Sequence, residues 1–105
     1  MSININSNLD SDKKVWNIDL EGELDVSTAD KLKEHLNSLL DREMVDMKIN
    51  LENLEYIDST GLGVMIGVLK KLKVGNKDIY ILNPRNNVRK IFNITGLDKI
   101  FKVEG

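Results

Sequence analysis

Two hydrophobic periods alternate along this chain, and the switching between them constrains the fold more than any other feature. Trp16, Ile18 and Leu20 alternate with Asn17, Asp19 and Glu21, as in a strand with one buried face. Leu32, Leu36, Leu39 and Leu40 then mark one side of a helix that ends near Asp41 to Glu43. Met47, Ile49 and Leu51 return to period two, and Leu54 and Ile57 carry the chain to Asp58-Ser59-Thr60-Gly61-Leu62-Gly63. Leu62 to Val74 is again amphipathic at helical spacing. A reactive hydroxyl therefore lies where a strand gives way to the first turn of a helix, a place with free backbone N–H groups and a partial positive charge. Ser59 there is readable as a phosphate acceptor or as a helix-capping residue.

The flanking segments extend the pattern. Ile3 and Ile5 alternate with polar residues and predict a short edge strand, and the polar stretch Asn6 to Lys14 predicts a turn. Gly22 ends the alternation that begins at Trp16. Ser27-Thr28-Ala29-Asp30 has the form of a capping box with aspartate in place of glutamate. Gly75 and Asn76 end the second helix, as residues that tolerate left-handed backbone. Ile79 to Leu82 predicts a further, central strand. Asn83 and Pro84 open another helix, with Pro84 near its first position, and Val88, Ile91, Phe92 and Ile94 form its apolar side. Gly96 breaks it, and Leu97 to Val103 reads as a short turn or helix with a last strand or tail. The order is β-β-α-β-α-β-α with a C-terminal extension. It predicts one α/β domain over residues 1–105, a mixed sheet of four to five strands with helices mainly on one face.

Composition narrows the function. A chain of 105 residues buries roughly 60–70% of the surface its unfolded form exposes, enough for one core. The absence of cysteine excludes thiol catalysis, disulfides and thiolate-bound metal. A net charge of −2 argues against a nucleic-acid binder. No apolar run reaches the roughly 20 residues of a membrane span, and the polar N-terminus has no signal-peptide order, so a cytoplasmic protein is expected.

The chemistry-bearing residues point away from catalysis. Ser59 is not in a G-x-S-x-G setting, and the single histidine, His35, falls on the first helix about 100° from Leu36, a partly exposed position. A serine triad lacks its base. Asp58-Ser59-Thr60-Gly61 has one residue too many for the Asp-Ser/Thr-Gly of aspartic proteases, which are moreover all-β. Gly61-Leu62-Gly63 has no third glycine at dinucleotide spacing and no following Gly-Lys-Ser/Thr. On a helical wheel Leu62, Met65, Ile66, Leu69 and Leu72 face the core. Gly63, Gly67 and Lys70 fall opposite, with Val64 and Lys71 beside them. Bare backbone at Gly63 and Gly67 suits either a partner protein or close packing within the chain, while Gly61 eases the turn into the helix. Asp25 and Asp58 both follow strands and would open at one sheet edge, where they could bind Mg²⁺ or orient a phosphate donor, or simply cap helices or turns. Arg85, Arg89 and Lys90 read as a solvated helix face, and Trp16 as core.

Four segments together resemble a known family. They are Gly22-Glu23-Leu24-Asp25 with Thr28-Ala29, the block from Tyr56 through Asp58-Ser59-Thr60-Gly61-Leu62-Gly63 to Val64, the Asn83 to Phe92 segment, and Ile94-Thr95-Gly96-Leu97. The chain is similar over nearly its full length to the bacterial anti-sigma factor antagonists, which are single STAS domains, the domain shared by sulfate transporters and anti-sigma factor antagonists. The resemblance implies a STAS-type fold and a partner switch rather than an enzyme. The unphosphorylated antagonist binds an anti-sigma factor that is also a serine kinase, and a sigma factor is released. The kinase phosphorylates the motif serine, here Ser59, and the complex parts. A phosphoserine phosphatase reverses the change. Asp25, Asp58, Thr60, Gly61, Leu62 and Gly63 would lie at or beside the interface, extended by Val64 and Gly67 on the outward helix face. ATP and Mg²⁺ would come with the kinase, so no cofactor or metal of the domain's own is expected. No nucleic acid, no membrane and a monomeric free state are expected, as is the absence of an added N-terminal domain. The alternative is a STAS adaptor subunit of a lipid-transport or transporter complex that is never phosphorylated.

Overall fold

The computed structural model describes residues 2–105. Its element order is β1 (Ile3–Asp10), β2 (Val15–Leu24), α1 (Ala29–Arg42), β3 (Asp46–Ile57), α2 (Ser59–Val74), β4 (Ile79–Leu82), α3 (Asn86–Thr95), a 3-10 turn (Leu97–Lys99) and β5 (Lys102–Glu104). The five strands form one sheet in sequence order. β1 is antiparallel to β2, and every later neighbour is parallel. Each parallel crossover steps to the next strand in the same direction. Right-handed connections therefore put all three helices on one face. That is the mixed sheet with one covered face that the alternating periods predict.

The covered face carries the apolar residues. Trp16, Ile18 and Leu20 of β2, Met47, Ile49 and Leu51 of β3, and Ile79 and Ile81 of β4 are buried. Leu32, Leu36, Leu39 and Leu40 of α1 and Met65, Leu69 and Leu72 of α2 close over them. Phe92 of α3 meets Phe101 edge to face at 5.6 Å. Trp16 is core, as expected; its indole N–H donates to the Glu43 carbonyl at 3.0 Å, and the Arg42 guanidinium lies over its ring. His35 is half-buried and shares a 2.9 Å hydrogen bond with the Ser7 hydroxyl.

Several local expectations fail for physical reasons. Asn6 to Asp10 is strand rather than turn, because pairing with β2 continues through Asp10↔Val15 and supplies the backbone hydrogen bonds whatever the side chains. The turn begins only after Asp10, whose carboxylate accepts from the Asp12 and Lys13 amides. Gly22 ends the regular alternation of β2, as expected, but not the strand itself. It sits at φ 111° beside a register shift, where a side chain would strike the Ser2 carbonyl, and the strand runs on to Leu24. Ser27 to Asp30 is not a capping box. The Thr28 hydroxyl turns back to donate to the Glu23 carbonyl at 2.8 Å and to accept from the Asp25 amide at 2.9 Å, so it is unavailable to the first turn of α1. Pro84 is buried but lies outside α3, which starts at Asn86; Asn83 adopts φ 53° and separates the two elements. At the end of α2 only Asn76, at φ 60°, takes the left-handed conformation, while Gly75 remains at −96°. Val68 replaces Ile66 on the fully buried side of α2, and Ile94 of α3 is exposed.

Candidate functional site

The carboxyl ends of β2 and β3 meet at one sheet edge, tied by the Asp58 amide donating to the Leu24 carbonyl at 3.1 Å. Asp58 is extended (φ −115°, ψ −177°) and caps α2, its carboxylate accepting from the Gly61 amide at 3.0 Å. Its carbonyl accepts from the Leu62 amide at 3.0 Å. Among the described residues no hydrogen bond engages the amides of Ser59 or Thr60. Ser59 is thus the first helical residue of α2 and exposed, with Thr60 exposed beside it. The capping that the sequence left open for Ser59 is performed by Asp58, and the serine hydroxyl is left to solvent.

Asp25 opens at the same edge, as its position after a strand predicts. It and Asp58 line one shallow depression of about 710 Å³ with Glu23, Glu55, Val26 and Tyr56. Asp25 organises its own loop: its carboxylate accepts from the Ser27 hydroxyl at 2.6 Å and from the Ser27 amide at 2.9 Å. Both aspartates therefore serve turns and caps. Among the described residues no group of three or more potential ligands is arranged to hold a metal ion. The Ser27 hydroxyl bond, with smaller help from the Ser27 and Thr28 amides, holds the Asp25 carboxyl below the ordinary aspartate value. A depressed carboxyl supports the folded loop above the unfolded value, and that support is lost as pH falls through the folded one. We expect an NMR titration to place the Asp25 midpoint below that of an aspartate in an unstructured peptide, and Ser27→Ala to raise it. A midpoint indifferent to Ser27→Ala would refute the assignment.

The glycines of α2 divide into two kinds. A Cβ on Gly61 would lie 2.5 Å from Leu24 Cγ and 3.2 Å from the Leu24 carbonyl oxygen. Gly61 therefore does more than ease a turn: it lets the start of α2 sit directly on the end of β2. Gly61 and Leu62 are both buried and face inward rather than toward solvent. Gly63 and Gly67 are exposed, and a Cβ at either position would meet no neighbouring atom within 4 Å, so close packing within the chain does not explain them. Neither takes positive φ. Each costs about 1 kcal/mol of helix propensity relative to alanine. They floor a groove of about 320 Å³ between α1 and α2, which Thr60 and Val64 also line. The predicted residues thus separate into a rim around Ser59 (Asp25, Asp58, Thr60), a buried pair (Gly61, Leu62) and a groove (Gly63, Val64, Gly67). Val26, 76% exposed, and Glu23 and Glu55 were not singled out by sequence; an apolar residue directly after the Asp25 turn is the only hint to Val26.

Arg85, which precedes the last helix rather than lying on it, is not a free basic group. Its Nε donates to the Glu52 carbonyl at 2.9 Å, and Asn87 Nδ2 donates to the Glu55 carbonyl at 2.9 Å. Arg89 bonds the Gly105 carbonyl, and Lys90 is exposed.

The STAS domain family model matches residues 6–105. This chain is a STAS domain of the anti-sigma factor antagonist family. It is 38% identical over 101 residues to the anti-sigma-B factor antagonist of Staphylococcus aureus, covering 96% of this chain and 94% of that protein. Among solved structures, the anti-sigma factor antagonist SpoIIAA in its unphosphorylated form superposes with a TM-score of 0.82 at 24% identity, over 95% of this chain and 87% of that one. The phosphorylated form of Bacillus SpoIIAA gives 0.73 at 24% identity, over 95% and 90%. These two likenesses establish the STAS fold expected from the motif block. No described helix of this STAS domain is long and apolar enough to cross a membrane.

Proposed function

We propose that this STAS domain is a phosphorylation-switched antagonist, a cytoplasmic binding protein rather than an enzyme. In its unphosphorylated form it binds an anti-sigma factor that is also a serine kinase, and a sigma factor is released. The observation that carries the reading is the exposed Ser59 at the entrance of α2, its helix already capped by Asp58. The 38% identical S. aureus relative bears the name of an anti-sigma-B factor antagonist, and SpoIIAA has been solved both with and without phosphate.

The physics of the site agrees. Phosphate adds about −1.5 to −2 charge at pH 7. At a helix N-terminus the unpaired amides and the dipole favour it, so the domain tolerates its own modification. The new charge lies on a rim that already holds Asp25 and Asp58. It acts on whatever docks there, through bulk and like-charge repulsion against a surface selected for the unmodified hydroxyl. The kinase transfers the γ-phosphoryl group of ATP to Ser59 Oγ, which gives up its proton, and ADP leaves. Nucleotide and Mg²⁺ reside in the kinase, and a phosphoserine phosphatase resets the switch. The free antagonist is a monomer, with no membrane or nucleic-acid partner.

The direct test is incubation of the purified chain with ATP and its cognate anti-sigma kinase, followed by mass spectrometry. One phosphate on Ser59, absent from Ser59→Ala, is expected. Phosphate on another residue, or equal labelling of Ser59→Ala, would refute the proposal.

A further inference from the structure

The carboxyl half of β3 changes its period. Met47, Ile49 and Leu51 are buried at every second residue, but Leu51, Leu54 and Ile57 at every third, so Glu52 with Asn53 and Glu55 with Tyr56 are exposed as adjacent pairs. The register with β2 gives the cause. Asn50 to Asn53 faces Asp19 to Glu21, and Leu54 to Tyr56 faces Gly22 to Glu23. β3 thus carries one extra residue at each of two bulges. Bulges are rare in parallel pairs and serve to re-aim side chains beside functional sites. Here the second one puts both Glu55 and Tyr56 on the depression that Asp58 lines.

β4 pairs with Met47 to Asn50 and stops short of both bulges. The segment that opens α3 takes over. Arg85 Nε donates to the Glu52 carbonyl and Asn87 Nδ2 to the Glu55 carbonyl, both at 2.9 Å, one at each bulge. Both side chains are exposed, and hydrogen bonds in such places add only modestly to stability. Two of them aimed at consecutive bulges therefore point to control of shape.

We infer that Arg85 and Asn87 are positioning residues for the switch: they clamp the two bulges of β3 and so hold Tyr56 and Glu55 where the anti-sigma factor docks beside Ser59. The inference rests on the partner-binding reading proposed above. It adds Tyr56 to the contact surface, an aromatic residue of the kind that carries a large share of binding energy. It also gives a use to the Asn83 to Phe92 segment, which a switch confined to the Ser59 rim leaves without one. Ser59 itself is set by the Asp58 cap, which the clamp does not touch. Loss of the clamp should therefore impair docking and spare phosphoryl transfer.

The test is steady-state phosphorylation by the purified anti-sigma kinase, with the antagonist as the varied substrate. The proteins are wild type, the double variant Arg85→Ala with Asn87→Ala, Arg85→Lys, Tyr56→Ala and the triple variant, each checked by thermal melting. The double variant is expected to raise KM at least fivefold with kcat within twofold of wild type, the mark of lost binding rather than lost chemistry. Its melting temperature should fall by no more than about 5 °C. Arg85→Lys keeps a donor for the Glu52 carbonyl and should stay within twofold of the wild-type KM. Tyr56→Ala should raise KM as the double variant does, and the triple variant should add less than twofold to that, because clamp and ring act as one unit. If the double variant does not fold, Asn87→Ala alone enters the same cycle, since alanine favours the helix there. A wild-type KM in the folded clamp variants, or multiplied effects in the triple variant, would overturn the positioning role and leave the switch standing. No phosphorylation of wild type would overturn both.

Discussion

Ser59→Asp is expected to weaken binding of the anti-sigma factor several hundred-fold while leaving the melting temperature within a degree or two of wild type. A loss of about 3–4 kcal/mol corresponds to that factor at about 1.4 kcal/mol per tenfold. Placing like charge against a docked surface reaches several kcal/mol. The fold is spared because an acidic residue in the first turn of α2 faces amides that no residue among those described engages. Calorimetric titration alongside thermal melting reads both quantities. Undiminished affinity would refute the electrostatic account. A large fall in melting temperature would show instead that the first turn had been disrupted.

Gly61→Val is expected to have the largest effect on stability. Its Cβ would meet Leu24 Cγ at 2.5 Å, against a side chain that is itself fully buried and a backbone carbonyl at 3.2 Å. Overpacking of this kind costs about 2–3 kcal/mol. For a domain of this size that lowers the melting temperature by roughly 10–20 °C. Leu24→Ala is destabilising alone, but it removes the atoms in the way. The double variant should therefore be more stable than the sum of the singles by about 1–2 kcal/mol. Strict additivity in urea denaturation would show that Gly61 is not held by Leu24. The pair joins the end of β2, and so the Asp25 loop, to the start of the helix that carries Ser59. The same substitution should consequently weaken partner binding beyond its effect on the fraction folded.

Much of this was legible in the chain. The period-two runs at Trp16 to Leu20 and Met47 to Leu51 mark two parallel strands, and the Leu32 to Leu40 spacing marks the helix between them. Hydrophobic period is a local property that survives folding, and so these elements were readable. The motif Asp58 to Gly63 placed an exposed serine at a helix entrance for the same reason: N-terminal caps are set by a few adjacent residues. Backbone pairing was not readable. Asn6 to Asp10 carries polar side chains, yet β2 holds it as strand by hydrogen bonds that any residue can make. The Thr28 hydroxyl could have capped the helix after it, but the Glu23 carbonyl and Asp25 amide before it took it.

The sequence by itself determined the α/β order, the buried stripe of the first helix, and Ser59 as the residue on which a switch could act. Only the tertiary structure decided which glycines serve the fold and which the surface. Gly61 is pressed onto Leu24, while Gly63 and Gly67 face an open groove, a distinction that depends on what lies across space rather than along the chain. It also brought Asp25 and Asp58, 33 positions apart in the sequence, to one rim, because β2 and β3 are adjacent and parallel and so finish at the same side of the sheet.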